Sequence, residues 1–320
     1  MDRSDPVGQL RSAVADFARV YVPGAQRWCV ALSGGPDSLA LTAAAATVLP
    51  TTALIVDHGV QTDSDRVADA AREQAMALGC VDAQVLTVRV GSEGGPEAAA
   101  RTARYAALET ARADMPVLIG HTLDDQAETV LLGLGRGSGP RSIAGTRPYD
   151  APWCRPLLEV RRATTAAACA ALGVEPWRDP HNDDPRFRRA RLRHEVLPLL
   201  EDVLGGGVAE ALARTARALQ EDGDALDSLA AQALRAAATD RGLAVAPLTA
   251  LPPAVRLRTI RAWLLAGGAR NLTNPQIRGV DALVMSWRGQ GGVAVGSALR
   301  QARMFAERRD GILRLRGEAL

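Results

Sequence analysis

The chain of 320 residues contains no lysine, so all 38 of its basic residues are arginine. A Walker A loop ends in GK[ST] and a Schiff-base enzyme needs an amine side chain, so both classes are closed unless a nucleotide is held another way. Cysteine is scarce. Cys29, Cys80, Cys154 and Cys169 lie far apart and form no CxxC, which excludes a zinc knuckle and a disulfide framework and leaves each as a small buried hydrophobe. Apolar runs are short, none approaching the ~20 residues that cross a bilayer. The first 21 residues are interrupted by Asp2, Asp5, Asp16 and three arginines, unlike a signal peptide or an anchor. A cytoplasmic location with no membrane partner is expected. Excess charge is also lacking: the net value is +2, so any affinity for nucleic acid must come from a local patch.

What is present is 47% hydrophobic and 23% charged residues over a length that suits two domains of ordinary size. Apolar runs at 27–33, 53–57, 84–90 and 116–120 alternate with helix-forming stretches at 36–47, 64–78 and 96–113. That alternation predicts an α/β fold, a parallel sheet with helices on both faces, whose ligands lie outside the C-terminal strand ends. After about residue 200 the pattern changes. The Gly205-Gly206-Gly207 run reads as a linker or helix stop, and Ala- and Leu-rich helical spacing follows. Two domains are expected, 1–204 and a smaller, mostly helical 205–320. Asn274 followed by Pro275 looks like an N-cap and first helical residue, and 293–299 with 311–316 reads as a hairpin.

Chemistry is concentrated in Ser33-Gly34-Gly35-Pro36-Asp37-Ser38, between a buried strand and a helix. Two glycines let backbone N–H groups turn inward, Ser33 and Ser38 add hydroxyls, and the helix N-terminus adds partial positive charge. Together these make a pyrophosphate cradle without lysine. A capped turn alone would also use Ser and Gly, but Asp37 suits a Mg²⁺ that bridges phosphate oxygens. Farther on, His121, Asp124, Asp125 and Glu128 fall within about one helical turn at a strand end, with Asp125 and Glu128 on one face. These carboxylates suit either metal ligation or recognition of an amine. Five arginines with one aromatic occupy Arg186 to Arg193, the local basic patch that the near-neutral chain requires for RNA.

The hexapeptide resembles the SGGxDS loop of N-type ATP pyrophosphatases, which split ATP into AMP and pyrophosphate. Further segments resemble the tRNA(Ile)-lysidine synthases within that superfamily. They are Val56-Asp57-His58-Gly59 with Ser64 and Asp65; Glu97, Ala100, Arg101, Arg104 and Tyr105; Gly120 through Thr129; Arg136-Gly137-Ser138-Gly139; and Arg155-Pro156-Leu157-Leu158. Asp179, Asn182 and Arg189 to His194 complete the series. This chain departs from the family at Gly95, His181 and Ala190. The second half resembles the short form, with one helical domain after the catalytic one.

The resemblance implies an adenine nucleotide alpha-hydrolase-like fold and a ligase that joins free lysine to C2 of the wobble cytidine in the CAU anticodon of tRNA(Ile). ATP is consumed to AMP and pyrophosphate. Ser33 to Ser38, Asp57 and His58 are expected to bind ATP, and Asp37 and Asp124 to hold Mg²⁺. Asp37, His121, Asp125 and Glu128 are the expected catalytic residues; Arg104, Asp124, Asp125 and Glu128 the lysine-binding ones. Arg188, Arg189, Arg191, Arg193 and His194 are expected on the tRNA. A homodimer is compatible with the sequence. The competing readings are a tRNA thiolation enzyme, which would need reactive or cluster-binding cysteines, and a non-catalytic nucleotide- and RNA-binding protein, which would have no use for paired acids.

Overall fold

The computed structural model describes residues 5–59, 63–91, 95–137, 139–179, 184–297 and 302–319. Ser138, His181 and Asn182, and the side chain of Glu97, lie outside the described set. The chain divides into two compact units, up to Ala218 and from Leu219 onward.

The first unit runs α1 (Pro6–Tyr21), β1 (Trp28–Ala31), α2 (Pro36–Ala46), β2 (Thr51–Asp57), α3 (Ser64–Ala77), β3 (Asp82–Thr87), α4 (Pro96–Ala111), β4 (Val117–Ile119) and α5 (Leu123–Arg136). It continues with α6 (Pro140–Ile143), β5 (Tyr149–Asp150), β6 (Trp153–Cys154), α7 (Arg162–Ala171), α8 (Arg188–Arg191), α9 (Leu197–Leu204) and the first part of α10 (Val208–Ala237). The sheet order is β3-β2-β1-β4-β6-β5, parallel except for the short β5–β6 pair. β1 therefore has β2 on one side and β4 on the other. The crossover from β3 to β4 reverses the direction of winding, which opens a crevice at the C-terminal ends of β1 and β4.

Burial explains why the central run is continuous rather than alternating: Trp28, Cys29 and Val30 are all covered, as a strand with helices on both faces must be. The indole N–H of Trp28 is satisfied by Thr51 Oγ1 at 2.7 Å. α2 is buried from Ser38 to Ala45, and its alanines let α1 and α7 approach closely. The amphipathic α1, which supplies Leu10, Val14 and Phe17 to this core, had no counterpart in the expected elements.

The second unit holds the rest of α10, β7 (Ala238–Thr239), β8 (Gly242–Ala244), α11 (Val245–Thr249), α12 (Pro253–Ala266), α13 (Asn274–Met285), β9 (Val293–Val295), β10 (Ala302–Arg309) and β11 (Ile312–Ala319). Helices pack on an antiparallel sheet of order β7-β8-β11-β10-β9. The expected hairpin is thus part of a larger sheet, and its arms pair differently: β10 turns into β11, while β9 lies on the far side of β10. The N-cap of α13 is Thr273 rather than Asn274, because Thr273 forms a reciprocal capping box with Gln276. Gly205 closes α9 in the left-handed conformation, so the glycine run acts as a helix stop.

Candidate active site

The hexapeptide leaves β1 and enters α2 at the crevice. Gly34 has φ +80°, a conformation that favours glycine, and a Cβ there would also meet Trp177 Cβ at 3.6 Å. Ser38 Oγ donates to Gly35 O at 2.9 Å, accepts from Ser33 N at 3.2 Å and lies 3.1 Å from Ser33 Oγ. Trp177 N donates to Gly34 O at 2.9 Å and fixes the outer side of the loop. Gly120, at the end of β4, allows this packing: a Cβ on it would stand 3.0 Å from Asp37 O and 3.1 Å from Ser38 N. Gly120→Ala should therefore displace the loop by a few tenths of an ångström and lower kcat/KM for ATP about tenfold with the melting temperature little changed. Equal ATP kinetics in the variant would show that the loop tolerates the shift.

α5 begins one turn beyond Gly120. Thr122 is its N-cap, in a capping box with Asp125, whose Oδ2 accepts from Thr122 N and Thr122 Oγ1, each at 2.8 Å. Asp125 so spends one oxygen on the helix end and presents the other, Oδ1, to the crevice. Leu123, Ala127 and Leu131 on the opposite face pack against Leu197, Ala209, Leu212 and Ala213. This apolar stripe sets the rotation of the helix and with it the direction of the acids.

The acids do not face open solvent. Arg162, the first residue of α7, reaches Asp125 Oδ1 at 2.7 Å through Nη2, Glu128 Oε1 at 3.3 Å and Asp37 Oδ2 at 3.4 Å through Nε. Its backbone N–H donates to Asp124 Oδ2 at 2.7 Å, while Arg161 holds Asp124 Oδ1 at 3.2 Å. Thr165, one turn along α7, donates to Asp37 Oδ1. Glu128, with its side chain 0% exposed, also meets Arg193 Nε at 3.0 Å and Arg189 Nη1 at 3.7 Å. Arg161, Arg162 and Thr165 were not singled out in the sequence. Two arginines opening a helix oppose its dipole, and that local conflict was the available sign that acids answer them.

Electrostatics follow from this packing. Burial raises the Asp37 pKa, against the bonds from Thr165 and Arg162. Burial works against ionised Asp125 too, but Arg162 and the Thr122 N–H outweigh it and hold this carboxyl below its usual range. His121 is pushed down to about 4, first by burial and then by Arg155, Arg104 and Arg101, against the pull of Asp125. Its ring is neutral near pH 7 and its buried Nδ1 has no hydrogen-bond partner. His58 Nδ1 is orphaned likewise, with its pKa lowered by burial and by Arg104. Arg104 stacks 5.6 Å from the Tyr105 ring centroid, and burial lowers its pKa. Asp57, at the end of β2, accepts from Gly59 N at 2.9 Å.

The depressed pKa of His121 has a testable consequence for stability. An unfolded His takes its proton near pH 6.5, whereas the folded ring resists until about 4, so its contribution is lost as pH falls through that window and is flat above it. The difference in unfolding free energy between the wild type and His121→Gln should vary between pH 6.5 and 4 and be constant from pH 7 to 8. A difference independent of pH throughout would mean that the folded ring titrates normally.

The basic block is not one solvated face. Arg189 and Arg193 turn inward to Glu128, Arg186 pairs with Asp184 at 2.6 Å and Arg191 with Glu195 at 2.8 Å, whereas Arg188 is exposed. A π-helical turn at Leu192–Val196 joins α8 to α9, and His194 lies on it, exposed. Ala190 is buried beneath. Among the described residues no three His, Cys, Asp or Glu side chains gather as a group able to hold a metal by themselves. A Mg²⁺ held by one or two carboxylates plus substrate phosphates needs no such group, and the position of Asp37 beside the cradle fits that mode. All four cysteines are buried, and burial pushes Cys29 and Cys80 to about 11, Cys154 to about 12 and Cys169 upward. None is a ready thiolate nucleophile.

Residues 9–200 match the PP-loop domain and residues 243–309 the TilS substrate binding domain. Among solved structures, the U34-tRNA thiolase NcsA from Methanococcus maripaludis shares the fold, with TM-score 0.54 and 18% identity over 68% of this chain and 81% of that one. At that identity the likeness speaks of architecture alone. The tRNA(Ile)-lysidine synthase of Mycobacterium tuberculosis is 69% identical over 99% of both chains, and that of Mycobacterium leprae is 64% identical over 98% of both. Within the first unit the strand order and the loop at its crevice fit this assignment, and identity of that order along the full length decides it: the chain belongs to the tRNA(Ile)-lysidine synthase family.

Proposed function

We propose that this protein is a cytoplasmic ligase that uses ATP to join free lysine to C2 of the wobble cytidine of tRNA(Ile) bearing a CAU anticodon, so that the tRNA reads AUA. The observation that carries this reading is the convergence of Asp37, Asp125 and Glu128 on Arg162 at the mouth of the Ser33–Ser38 cradle. Adenylating and amine-binding groups are thereby within one side chain of each other.

Cytosine C2 is a poor electrophile because its oxygen cannot leave as oxide. That oxygen attacks the α-phosphate of ATP, pyrophosphate departs, and C2 becomes reactive. Backbone N–H groups of Gly34 and Gly35, the hydroxyls of Ser33 and Ser38 and the N-terminus of α2 stabilise the departing charge, with Asp57 and His58 beside the adenosine. A Mg²⁺ on Asp37 would neutralise charge on the phosphates; Asp124, already occupied by Arg161 and the Arg162 N–H, is the weaker of the two metal ligands. In the second step the lysine amine attacks C2 and AMP leaves.

Free lysine arrives as ammonium, with a pKa of ~10.4, and must lose a proton before it attacks. Asp125 and Glu128 hold the ammonium. His121, neutral and with its buried Nδ1 unpartnered, is the candidate proton acceptor. Arg104, which stacks on Tyr105 and makes no ion pair among the described residues, suits the substrate carboxylate. Two consequences distinguish the steps: pyrophosphate release should need ATP and a tRNA with cytidine at the wobble position, and turnover to AMP should need lysine as well. Turnover indifferent to lysine would contradict this function. The inert thiols weigh against sulfur delivery, and the paired acids against mere binding.

On the RNA, Arg188, Arg191 and His194 are, with Arg186, outward members of the basic block, and the second unit is a further positioning surface. Arg188→Ala should weaken tRNA binding and reduce the slope of log K against log salt by about 0.7 to 0.9. An unchanged slope would remove Arg188 from the phosphate contacts. Arg189 and Arg193 belong to this set only if they release Glu128 when RNA binds. Exposed Leu199, Val203 and Leu204 on α9 offer a homodimer an apolar surface. No described helix is long and apolar enough to cross a membrane.

A further inference from the structure

We propose that Arg162 is a built-in counter-cation, which fills the position of the substrate cations among Asp37, Asp125 and Glu128 in the free enzyme and must withdraw before they bind. This rests on the reading above, that these acids serve Mg²⁺ and the lysine ammonium, and adds a residue to which neither the sequence motifs nor the family match assigns a role.

The geometry is that of a competitor rather than of a bystander. One guanidinium reaches three carboxylates that come from two separate elements, α2 and α5, at 2.7 to 3.4 Å. Those are the oxygens that an incoming cation needs: Asp37 Oδ2, Asp125 Oδ1 and Glu128 Oε1. The other oxygens of Asp37 and Asp125 are committed to Thr165 and Thr122, so no second set is available on either residue. The cluster of three carboxylates, Asp37, Asp125 and Glu128, is met by three arginines, Arg162, Arg189 and Arg193, while Arg161 is shared among Asp124, Glu201 and Glu210 outside it. The cluster therefore carries no surplus negative charge for a divalent ion plus an ammonium. Adding them with Arg162 in place would set like charges side by side in a partly desolvated crevice.

The same residue is built to yield. Its backbone is pinned by the N–H to Asp124, whereas its side chain is 20% exposed and holds Asp37 only through Nε at 3.4 Å, its longest contact in the cluster. Glu128 Oε2 is buried and accepts no hydrogen bond, its cation being Arg189 Nη1 at 3.7 Å, so that it can turn to an incoming cation when Arg162 leaves. Arginine's planar fork is always charged and matches carboxylate geometry, so it keeps Asp37, Asp125 and Glu128 oriented until exchange. Arg162 is on this account a positioning residue whose charge also sets how strongly cations must bind to enter.

The test is a titration with Mn²⁺ alone, followed by the electron paramagnetic resonance signal of the free ion, on the full chain. Arg162→Gln should bind one Mn²⁺ at least tenfold more tightly than the wild type, and adding Asp37→Asn to that variant should abolish the gain. An arginine with a merely structural role predicts the opposite, since its loss would loosen the acids and weaken binding. Affinity equal to or below that of the wild type in folded Arg162→Gln overturns the proposal. Should that variant not fold, Arg162→Lys decides, because it keeps one charge but loses the fork. A gain of at least threefold supports the proposal and unchanged affinity overturns it. Wild-type lysine incorporation into tRNA, measured in parallel, separates the two claims. Incorporation without a Mn²⁺ gain in the variants refutes only the counter-cation, whereas absence of incorporation refutes the function proposed above.

Discussion

Asp37→Asn should reduce pyrophosphate release from ATP by about a thousandfold or more while leaving the protein folded. The substitution keeps the shape of the side chain and one oxygen to accept from Thr165, so α2 and α7 remain tied. What it removes is the one carboxylate within the Ser33–Ser38 loop. Burial already raises the pKa of Asp37, so its charge is maintained by a neighbouring cation, Arg162 in the free protein and Mg²⁺ in the complex. An amide cannot take either role. Circular dichroism and thermal melting would report the fold, and release within tenfold of the wild type would remove Asp37 from the metal.

Asp125→Asn should act on the other substrate. Its KM for lysine should rise ten- to hundredfold, on the order of the ~1.5 to 3 kcal/mol that a charged hydrogen bond contributes, with pyrophosphate release largely preserved. The structure sharpens why the two steps separate. Asp125 Oδ2 serves the cap of α5, and an asparagine oxygen can still accept from Thr122 there. The loss falls on Oδ1, where an amide N–H₂ would face Arg162 in place of a carboxylate. If instead pyrophosphate release fell as far as in Asp37→Asn, Asp125 would belong to the metal, and Asp124 would be the next residue to examine for the amine.

Alternation of period in the first half made the parallel sheet legible, because β1 to β4 and the helices between them are local features with clear boundaries. Long-range relations were less so. The pairing of β1 with β4 rather than β3 is a property of the crossover, and it alone brings Gly120 against Asp37. Arg162 lies 125 residues from Asp37 and 37 from Asp125, in a segment with no motif of its own. No spacing rule joins these positions. The arginine block shows the same limit: its composition suggested one basic patch for RNA, whereas the helical period sends Arg189 and Arg193, four residues apart, inward to Glu128. In the second unit, short strands such as Ala238–Thr239 carry too few residues to signal a sheet, so only the tail was recognisable as β structure.

The central claim is that lysine ends on one cytidine. The direct measurement is to incubate the protein with ATP, Mg²⁺, radiolabelled lysine and a CAU-anticodon tRNA(Ile), digest the RNA to nucleosides and locate the label. The account predicts one labelled product, a cytidine derivative from the wobble position that requires ATP, and none from the same tRNA with uridine there. Label absent from the RNA while ATP is still cleaved, or label attached to a nucleoside other than the wobble cytidine, would contradict it.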